Sequence, residues 1–375
     1  MGDFFVVEAK DRSTNARAGK MFLPHGLVKT PFYMPVATKG AVKTLSPHEL
    51  EEIGYEIILS NTYHLLEKPG LKEIEEFGGL HRYMAWHRPI LTDSGGYQVF
   101  SLHKMVKVEL QGVKFRSLID GKLIEATPEA VLDWQEIIGS DISMVLDVCT
   151  PYGISRERAI EALKITEAWA KRSILHWKQK ERGGRRIFGI VQGNFFSDLR
   201  QEAAKNLSAL DFDGFAVGGL SVGEPKEVMF EMSKIVASML PDSKPRYFMG
   251  LGDPPSIVQA VAQGYDMFDS ALATRIARGG SFYTKTGAKN IRNHAFKGKE
   301  EPLENECTCY TCKNFAAGYI RHLYLSEETL ALRLLTYHNL YFMHRLMDNI
   351  RRSILDGVFA NFAADFLNSY RENSE

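Results

Sequence analysis

Three aspartates stand where apolar runs give way to polar, glycine-rich turns: Asp93 in TDSGGYQ, Asp147 in LDVCTPY and Asp269 in MFDSA. Gln192 in IVQGN, the Gly218-Gly219 pair in AVGGL, and Met249-Gly250 occupy the same kind of position. Any single aspartate of this sort is as readily a helix N-cap as a catalyst. Three of them beside a carboxamide are poorly explained by capping alone. Two carboxylates at one site divide labour, one as nucleophile and one as general acid/base, as retaining glycosidic chemistry requires. A third carboxylate, next to a carboxamide and backbone amides, complements a purine-like edge. It accepts from a ring N–H and an exocyclic amine, while Gln and amide N–H groups serve a carbonyl. Tyr97 and Met249 would sandwich a planar ring. A zinc protease, a nucleotide hydrolase or a serine esterase is not expected; neither HExxH nor GKS/GKT occurs.

A second constellation is Cys307-x-Cys309-x2-Cys312, followed by helical sequence containing His338. Three close thiols in a chain with four cysteines suit a tetrahedral Zn2+ ion with an imidazole as fourth ligand. His338 shares a helix face with Leu330, Leu334 and Tyr341, so it is the preferred fourth ligand; His322 and His344 compete on spacing alone. Four protein ligands close the site, which makes the expected metal structural, one per chain. A third feature is the stretch from Ser270 to Lys299, which has no Asp or Glu but holds Arg275, Arg278, Lys285, Lys289, Arg292, Lys297 and Lys299. Phe282, Tyr283, His294 and Phe296 are interleaved with them. Such a run is usually a solvated face. Because it begins directly after Asp269, it reads here as a contact for a polyanion, with phosphate contacts and base stacking.

These groups need a scaffold that brings strand ends together. Near-continuous apolar runs at Phe32–Ala37, Glu56–Leu59, Ile90–Thr92, Ile142–Asp147, Ile187–Gln192, Gly214–Gly218, Tyr247–Leu251 and Met267–Ser270 read as parallel strands buried on both faces. Helical patterns lie between them. Ser46-Pro47-His48-Glu49 is a capping box, Thr127-Pro128 a second cap, and Ser155 to Trp177 carries apolar residues at helical spacing. Eight strands alternating with helices predict an α/β fold, a (β/α)8 TIM barrel, with the chemistry at the C-terminal strand ends. Residues 4–30 add a small N-terminal β layer turning at Pro24-His25-Gly26, and residues 114–125 an inserted hairpin around Asp120-Gly121. Long helices from Glu327 to Leu367 complete a C-terminal zinc-binding helical subdomain. The expected domains are a barrel over 1–300 and the subdomain over 301–375.

Composition sets the outer limits. The chain has 375 residues, 45% hydrophobic and 25% charged, with 46 Lys+Arg against 46 Asp+Glu. Zero formal charge disfavours a protein that coats nucleic acid or membrane through bulk charge. No run approaches the length of a spanning helix, and the start lacks a signal-peptide pattern, so a cytoplasmic protein without a membrane partner is expected.

At these residues the sequence resembles the bacterial tRNA-guanine transglycosylase family, also called queuine tRNA-ribosyltransferases. The resemblance runs in order through SNTYHL at 60–65, LTDSGGYQVFSL at 91–102, DxCTPY at 147–152, GIVQG at 189–193, AVGGLSVGE at 216–224, YFMGLG at 247–252, GYDMFDSALATRIARGG at 264–280 and the CxCxxC…H set. It implies exchange of guanine at the tRNA anticodon wobble position, 34, for a 7-deazaguanine in queuosine biosynthesis. Asp269 would be the nucleophile that forms a covalent ribosyl intermediate, and Asp93 the general acid/base. Asp147, Gln192, Gly219 and Leu220 would hydrogen-bond the base, Ser94 and Cys149 would line its pocket, and Tyr97 and Met249 would pack its faces. Arg275 and Arg278 would hold the anticodon loop. Cys307, Cys309, Cys312 and His338 would bind Zn2+, and the enzyme would be a homodimer.

Cys149, Val222 and Glu224 match the bacterial pattern, which implies the compact base preQ1 over queuine. The sequence departs from relatives at Val148, where an acid is frequent, at Asp253, where Lys is common, and at Ala273 and Ser270. Val148 and Asp253 are the departures expected to alter base binding or tRNA contacts. Two other readings stay open from residues alone. A glycoside hydrolase would use Asp93 and Asp269 but leave the basic stretch idle; a non-catalytic zinc-containing RNA-binding protein would make the strand-end acids structural.

Overall fold

The computed structural model describes residues 4–102 and 106–370. Three antiparallel strands, β1 (Phe5–Lys10), β2 (Arg17–Leu23) and β3 (Gly26–Thr30), form the N-terminal layer. The chain then enters a parallel barrel through β4 (Phe32–Met34) and β5 (Val36–Ala37), two halves of one stave interrupted at Pro35. Proline has no N–H for the ladder, and the interruption lets one stave serve both seams. Tyr33 and Met34 pair with Phe268 and Asp269 on one side, and Val36 and Ala37 pair with Leu59 and Ser60 on the other. The remaining staves follow in order: β6 (Ile58–Asn61), β7 (Ile90–Asp93), β11 (Ile142–Met144), β12 (Arg186–Val191), β13 (Gly214–Val217), β14 (Arg246–Phe248) and β15 (Met267–Asp269). Between β7 and β11, the strands β8 (Lys107–Glu109), β9 (Gly112–Arg116) and β10 (Leu123–Ala126) form an antiparallel insertion. The expected hairpin is therefore a three-stranded sheet. All stave pairs are parallel, and the sheet closes on itself. This is the expected (β/α)8 barrel.

Stave borders differ from expectation where side chains take over the backbone's hydrogen bonds. β6 starts two residues late, at Ile58, and the Glu56 carboxylate accepts from Lys29 N at 2.7 Å, outside the barrel ladder. β11 ends early because the buried Gln135 carboxamide takes both Met144 N and Met144 O, each at 2.9 Å. Both predicted caps form: Glu49 N donates to Ser46 Oγ with the reciprocal Ser46 N to Glu49 Oε2, and Ala130 N donates to Thr127 Oγ1.

One buried cluster fills the barrel and continues into the C-terminal region, joining Phe188, Phe215, Phe248 and Phe268 to Leu334, Leu340, Met343 and Ile350 of the helix Thr329–Leu355. A second, smaller cluster under the insertion contains Tyr63, Val113, Phe115, Leu146, Val148 and Trp169. Where the lower part of β4 has no partner in β6, the helix Thr329–Leu355 covers the opening, with Tyr55 Oη donating to Leu340 O at 2.8 Å. The acid-free stretch is also organised differently from expectation. After the short helix Leu272–Arg278 it folds as the hairpin β16 (Ser281–Thr284) and β17 (Gly287–Asn290), which buries Phe282 and Tyr283 against the helix Thr329–Leu355, and Phe296 packs edge-on against Phe282. Three of the four interleaved aromatics are therefore core and unavailable for base stacking; His294 alone among them is exposed. Among the described residues no helix is long and apolar enough to cross a membrane.

Candidate active site

The C-terminal ends of the staves open into a cavity of about 570 Å³. Asp93, Ser94, Tyr97, Asp147, Cys149, Gln192, Gly219, Leu220, Met249, Asp269 and Arg275 all line it. Arg278 does not. It is half-buried, and its Nη1 folds back onto Thr274 O at 2.8 Å. The remaining cations of the stretch, Lys285, Lys289, Arg292 and Lys297, are exposed, and Lys299 is half-buried.

Asp269 ends β15 with an asymmetric carboxylate. Oδ1 accepts from Tyr247 Oη at 2.6 Å and from Gly250 N at 2.7 Å; among the described residues nothing donates to Oδ2. Gly250 can aim its amide this way because it adopts φ 76, a conformation that favours glycine. Tyr33 Oη donates to the Ser270 carbonyl and anchors the next peptide. Burial raises the carboxyl pKa, and the two donors work against that shift. The result is one oxygen held and one left with free lone pairs facing the cavity, which is the geometry of a nucleophile.

Asp93 ends β7 and is almost fully buried. Asn61 Nδ2 and Gln98 Nε2 donate to Oδ2 at 2.5 and 2.9 Å, and Thr62 N and Gly95 N donate to Oδ1 at 3.0 and 3.2 Å. All these donors are neutral. Desolvation therefore dominates and pushes the pKa up to about 6, with the Asp269 charge adding to the rise. A carboxyl group poised near neutrality can both give and take a proton. Asp147 behaves alike: burial raises it to about 6 although Gln192 Nε2 donates to Oδ2 at 2.6 Å and Ser94 Oγ lies 3.5 Å from Oδ1.

Gln192 and the double glycine are one device. A Cβ at Gly219 would stand 2.4 Å from Gln192 Oε1, and one at Gly218 would stand 2.7 Å from Gln192 Nε2. Only glycines permit this approach of wall to carboxamide. Gln192 Oε1 is buried without a hydrogen-bond partner, so the carboxamide keeps unused capacity beside the cavity. Cys149, by contrast, has its thiol pushed up to about 12, first by burial and then by the Asp147 charge. It stays protonated and serves as lining.

The departures separate by location. Val148 packs in the small cluster under the insertion and does not line the cavity. Asp253 does line it, accepting from Lys226 Nζ at 3.3 Å and capping the helix Pro254–Ala262 through Ser256 N. Ser270 Oγ accepts from Leu272 N at 3.1 Å, and Ala273 is buried with its carbonyl taking Asn339 Nδ2 at 3.0 Å. Glu224 ties its own loop by accepting from Ser221 N and Val222 N. That loop contains Gly219-Leu220-Ser221-Val222-Gly223, which has the spacing of a serine-esterase elbow, and Ser221 has φ 60. Among the described residues no imidazole or carboxylate bonds the Ser221 hydroxyl, so the base of a triad is missing.

Asn61, Gln98, Tyr247 and Arg200 are the residues that sequence reasoning did not single out. The first three lie inside the motifs SNTYHL, TDSGGYQ and YFMGLG without an obvious role. Arg200 had a signal, a lone cation on the apolar stripe with Ala203, Ala204 and Leu207.

On the C-terminal side, Cys307, Cys309, Cys312 and His338 converge with all ligand atoms within 4.8 Å of one another. His338 Nδ1 stands 3.7, 3.6 and 3.3 Å from the three sulfurs. Ligands of a tetrahedral zinc, at ~2.3 Å for sulfur and ~2.1 Å for nitrogen, would stand roughly 3.6 Å apart. His338 Nε2 faces Tyr283 O at 2.7 Å, which as an N–H donor leaves the Nδ1 lone pair toward the sulfurs. The donor set fits a metal ion, and His338 is the histidine present; His322 is exposed and His344 lies by Gly54. A second group, His25, His81 and Asp141, lies beneath the barrel, where His25 Nδ1 and Asp141 Oδ1 are in direct hydrogen-bond contact at 2.9 Å.

Comparisons with known proteins agree with this geometry. The family model described as queuine tRNA-ribosyltransferase matches residues 11–372. A queuine tRNA-ribosyltransferase of Dictyoglomus turgidum is 50% identical over 373 residues, covering 98% of this chain and 96% of the relative. One from Pelotomaculum thermopropionicum is 48% identical over 367 residues, covering 98% of both chains. One from Listeria welshimeri is 47% identical over 364 residues, covering 97% of this chain and 95% of the relative.

Proposed function

The chain belongs to the queuine tRNA-ribosyltransferase family of pentosyltransferases, and we propose that it replaces guanine at tRNA wobble position 34 with preQ1 through a ribosyl–Asp269 ester. The observation that supports the mechanism is the convergence of three carboxylates on one cavity, Asp269 with one oxygen free of donors among the described residues and Asp93 and Asp147 raised to about 6. Asp269 Oδ2 attacks C1′ of the ribose; the C1′–N9 bond breaks, and its electron pair leaves with guanine. Asp93 supplies the proton that the departing base takes up. The incoming 7-deazaguanine gives its N9 proton back to Asp93, attacks C1′ and releases the Asp269 carboxylate. Two displacements retain the anomeric configuration.

Asp147 accepts the ring N–H and exocyclic amine of the base. Gln192 Nε2, which gives one N–H to Asp147 Oδ2, offers its second N–H to the base carbonyl together with the Gly219 N–H and Leu220. Ser94 and Cys149 line the pocket, and Tyr97 and Met249 cover the two ring faces. Arg275, exposed at the mouth, and Arg278 behind it hold the anticodon loop. The preference for preQ1 over queuine rests on Cys149 and Val222, both lining the cavity, and on Glu224 bracing the loop of Val222.

The metal is a structural Zn2+ on Cys307, Cys309, Cys312 and His338, and 301–375 is its subdomain around the barrel domain 1–300. We propose a cytoplasmic homodimer, with the exposed Tyr310, Tyr319 and Leu325 as apolar surface for association.

The test is incorporation of labelled guanine into unmodified tRNA. Wild type should exchange and leave a denaturation-resistant protein–tRNA adduct. Asp269→Asn should lose exchange by roughly 10³-fold or more and form no adduct; equal exchange by that variant would remove Asp269 as nucleophile. Cys309→Ser should lose zinc and melt at lower temperature, with metal content and a melting curve as readouts.

A further inference from the structure

We infer that Arg200 is a positioning residue for base recognition, acting through the Gly218 carbonyl to fix the pocket wall and strengthen the Gly219 N–H as a donor to the base carbonyl. The inference rests on the reading of the cavity as a guanine site. Arg200 sits on the helix Ser197–Ser208 and is fully buried. Its Nε donates to Asn194 O at 2.7 Å, its Nη1 to Val191 O at 3.0 Å and Gly218 O at 2.8 Å, and its Nη2 to Gly219 O at 3.4 Å. These carbonyls belong to two segments only. Val191 and Asn194 bracket Gln192, and Gly218-Gly219 is the wall against which Gln192 packs. One rigid fork therefore sets the spacing between the groups that read the base.

Among the described residues no carboxylate forms an ion pair with this guanidinium. A buried cation without a counter-charge is costly, and a neutral donor would tie two loops together at lower cost. Burial lowers its pKa to about 10, which still leaves it charged at neutral pH. The charge has a chemical use. The Gly218 carbonyl and the Gly219 N–H are the two ends of one peptide unit, so a charge-assisted bond on the oxygen polarises the amide toward its N–H. A departing guanine gains an electron pair and spreads the charge onto its carbonyl, where a stronger donor has most effect.

The experiment compares guanine with 2-aminopurine, which keeps the ring system and amine but lacks the carbonyl and the N1–H; each variant is therefore compared with wild type for the same base. Dissociation constants are measured on full-length wild type, Arg200→Lys and Arg200→Met, by competition against labelled guanine exchange and by 2-aminopurine fluorescence. Arg200→Met should weaken guanine about tenfold or more and 2-aminopurine no more than about twofold, so the preference collapses. Arg200→Lys, which keeps the charge and loses the fork, should fall between; it carries the test alone if the Met variant does not fold. Equal loss of both bases would reduce Arg200 to scaffold and overturn the inference, as would no loss of either. Wild type that neither exchanges nor binds guanine would overturn the functional reading and this inference together; exchange by wild type with an unchanged preference in the variants would overturn this inference alone.

Discussion

The two ends of the barrel carry aspartates in near-matching places with opposite chemistry. At the C-terminal ends stand Asp93, Asp147 and Asp269; just before the starts of β11, β13 and β15 stand Asp141, Asp213 and Asp266. Each lower aspartate accepts an amide that opens a neighbouring stave: Ile90 N at 2.9 Å, Ile187 N at 3.0 Å and Arg246 N at 2.7 Å. Each also meets a basic side chain. His25 contacts Asp141, Arg186 contacts Asp213, and Arg17 grips Asp266 with two bonds of 2.9 and 2.6 Å. The upper aspartates have neutral donors alone. Asp141 is accordingly held below the usual carboxylate range despite its burial, by the His81 imidazole 3.2 Å away and by hydrogen bonds from Ile90 N and His25, whereas Asp93 and Asp147 rise to about 6. The lesson is that a buried carboxylate matched by a basic side chain clamps strands together, whereas the three at the cavity, held by neutral donors alone, all have raised pKa values.

The comparison can be broken in three ways. The largest effect should come from Asp266→Asn, which strands the fully buried Arg17. We expect a loss of about 3–5 kcal/mol in urea unfolding, with unchanged kcat in the folded fraction; a catalytic defect without a stability loss would contradict the clamp.

Next are Asp93→Asn and Asp147→Asn. Their folded pKa values lie above the unfolded value near 4, so the native state binds these protons more tightly. Wild-type stability should therefore fall as pH rises from about 4 to about 6 and stay reduced above that. Each Asn variant should gain about 1–3 kcal/mol above pH 6, a gain that disappears toward pH 4, while guanine exchange is lost. Chemical denaturation at pH 4, 6 and 8 measures it; an Asn variant less stable at pH 8 would contradict the neutral-donor reading.

Asp213→Asn should have the smallest effect, under about 1 kcal/mol. Burial already raises the Asp213 pKa, its Arg186 bond is 3.3 Å, and an Asn oxygen can still accept Ile187 N. A loss as large as that of Asp266→Asn would remove cation geometry as the variable that grades the clamps.

Much of the site was legible in the chain. Asp93, Gln192 and Asp269 each follow an apolar run, and their strands end within a residue of where that run does. The three cysteines are readable because their spacing is local and few other residues chelate so closely. The aromatic stretch was not. Phe282 and Tyr283 look like stacking residues beside Arg278 and Lys285, but the hairpin turns them under the helix Thr329–Leu355. Nothing within the stretch says which face another element will cover. What Arg200 binds was equally hidden, although its place on an apolar stripe was not, since its acceptors are backbone carbonyls that any sequence would possess.

The barrel, the strand-end positions of the acids and the three clustered cysteines could be read from the chain, because hydrophobic period, turn chemistry and close thiol spacing are short-range. The choice of His338 over His322 and His344 needed the fold. Only the closed barrel settles which aspartates meet a basic side chain and which are left with neutral donors alone. Arg17 and Asp266 are 249 positions apart, and Asn61 reaches Asp93 across 32. Charge compensation is a property of distance in space and of the dielectric around a group, so the same residue type at both ends of one strand acquired its role only when the barrel closed.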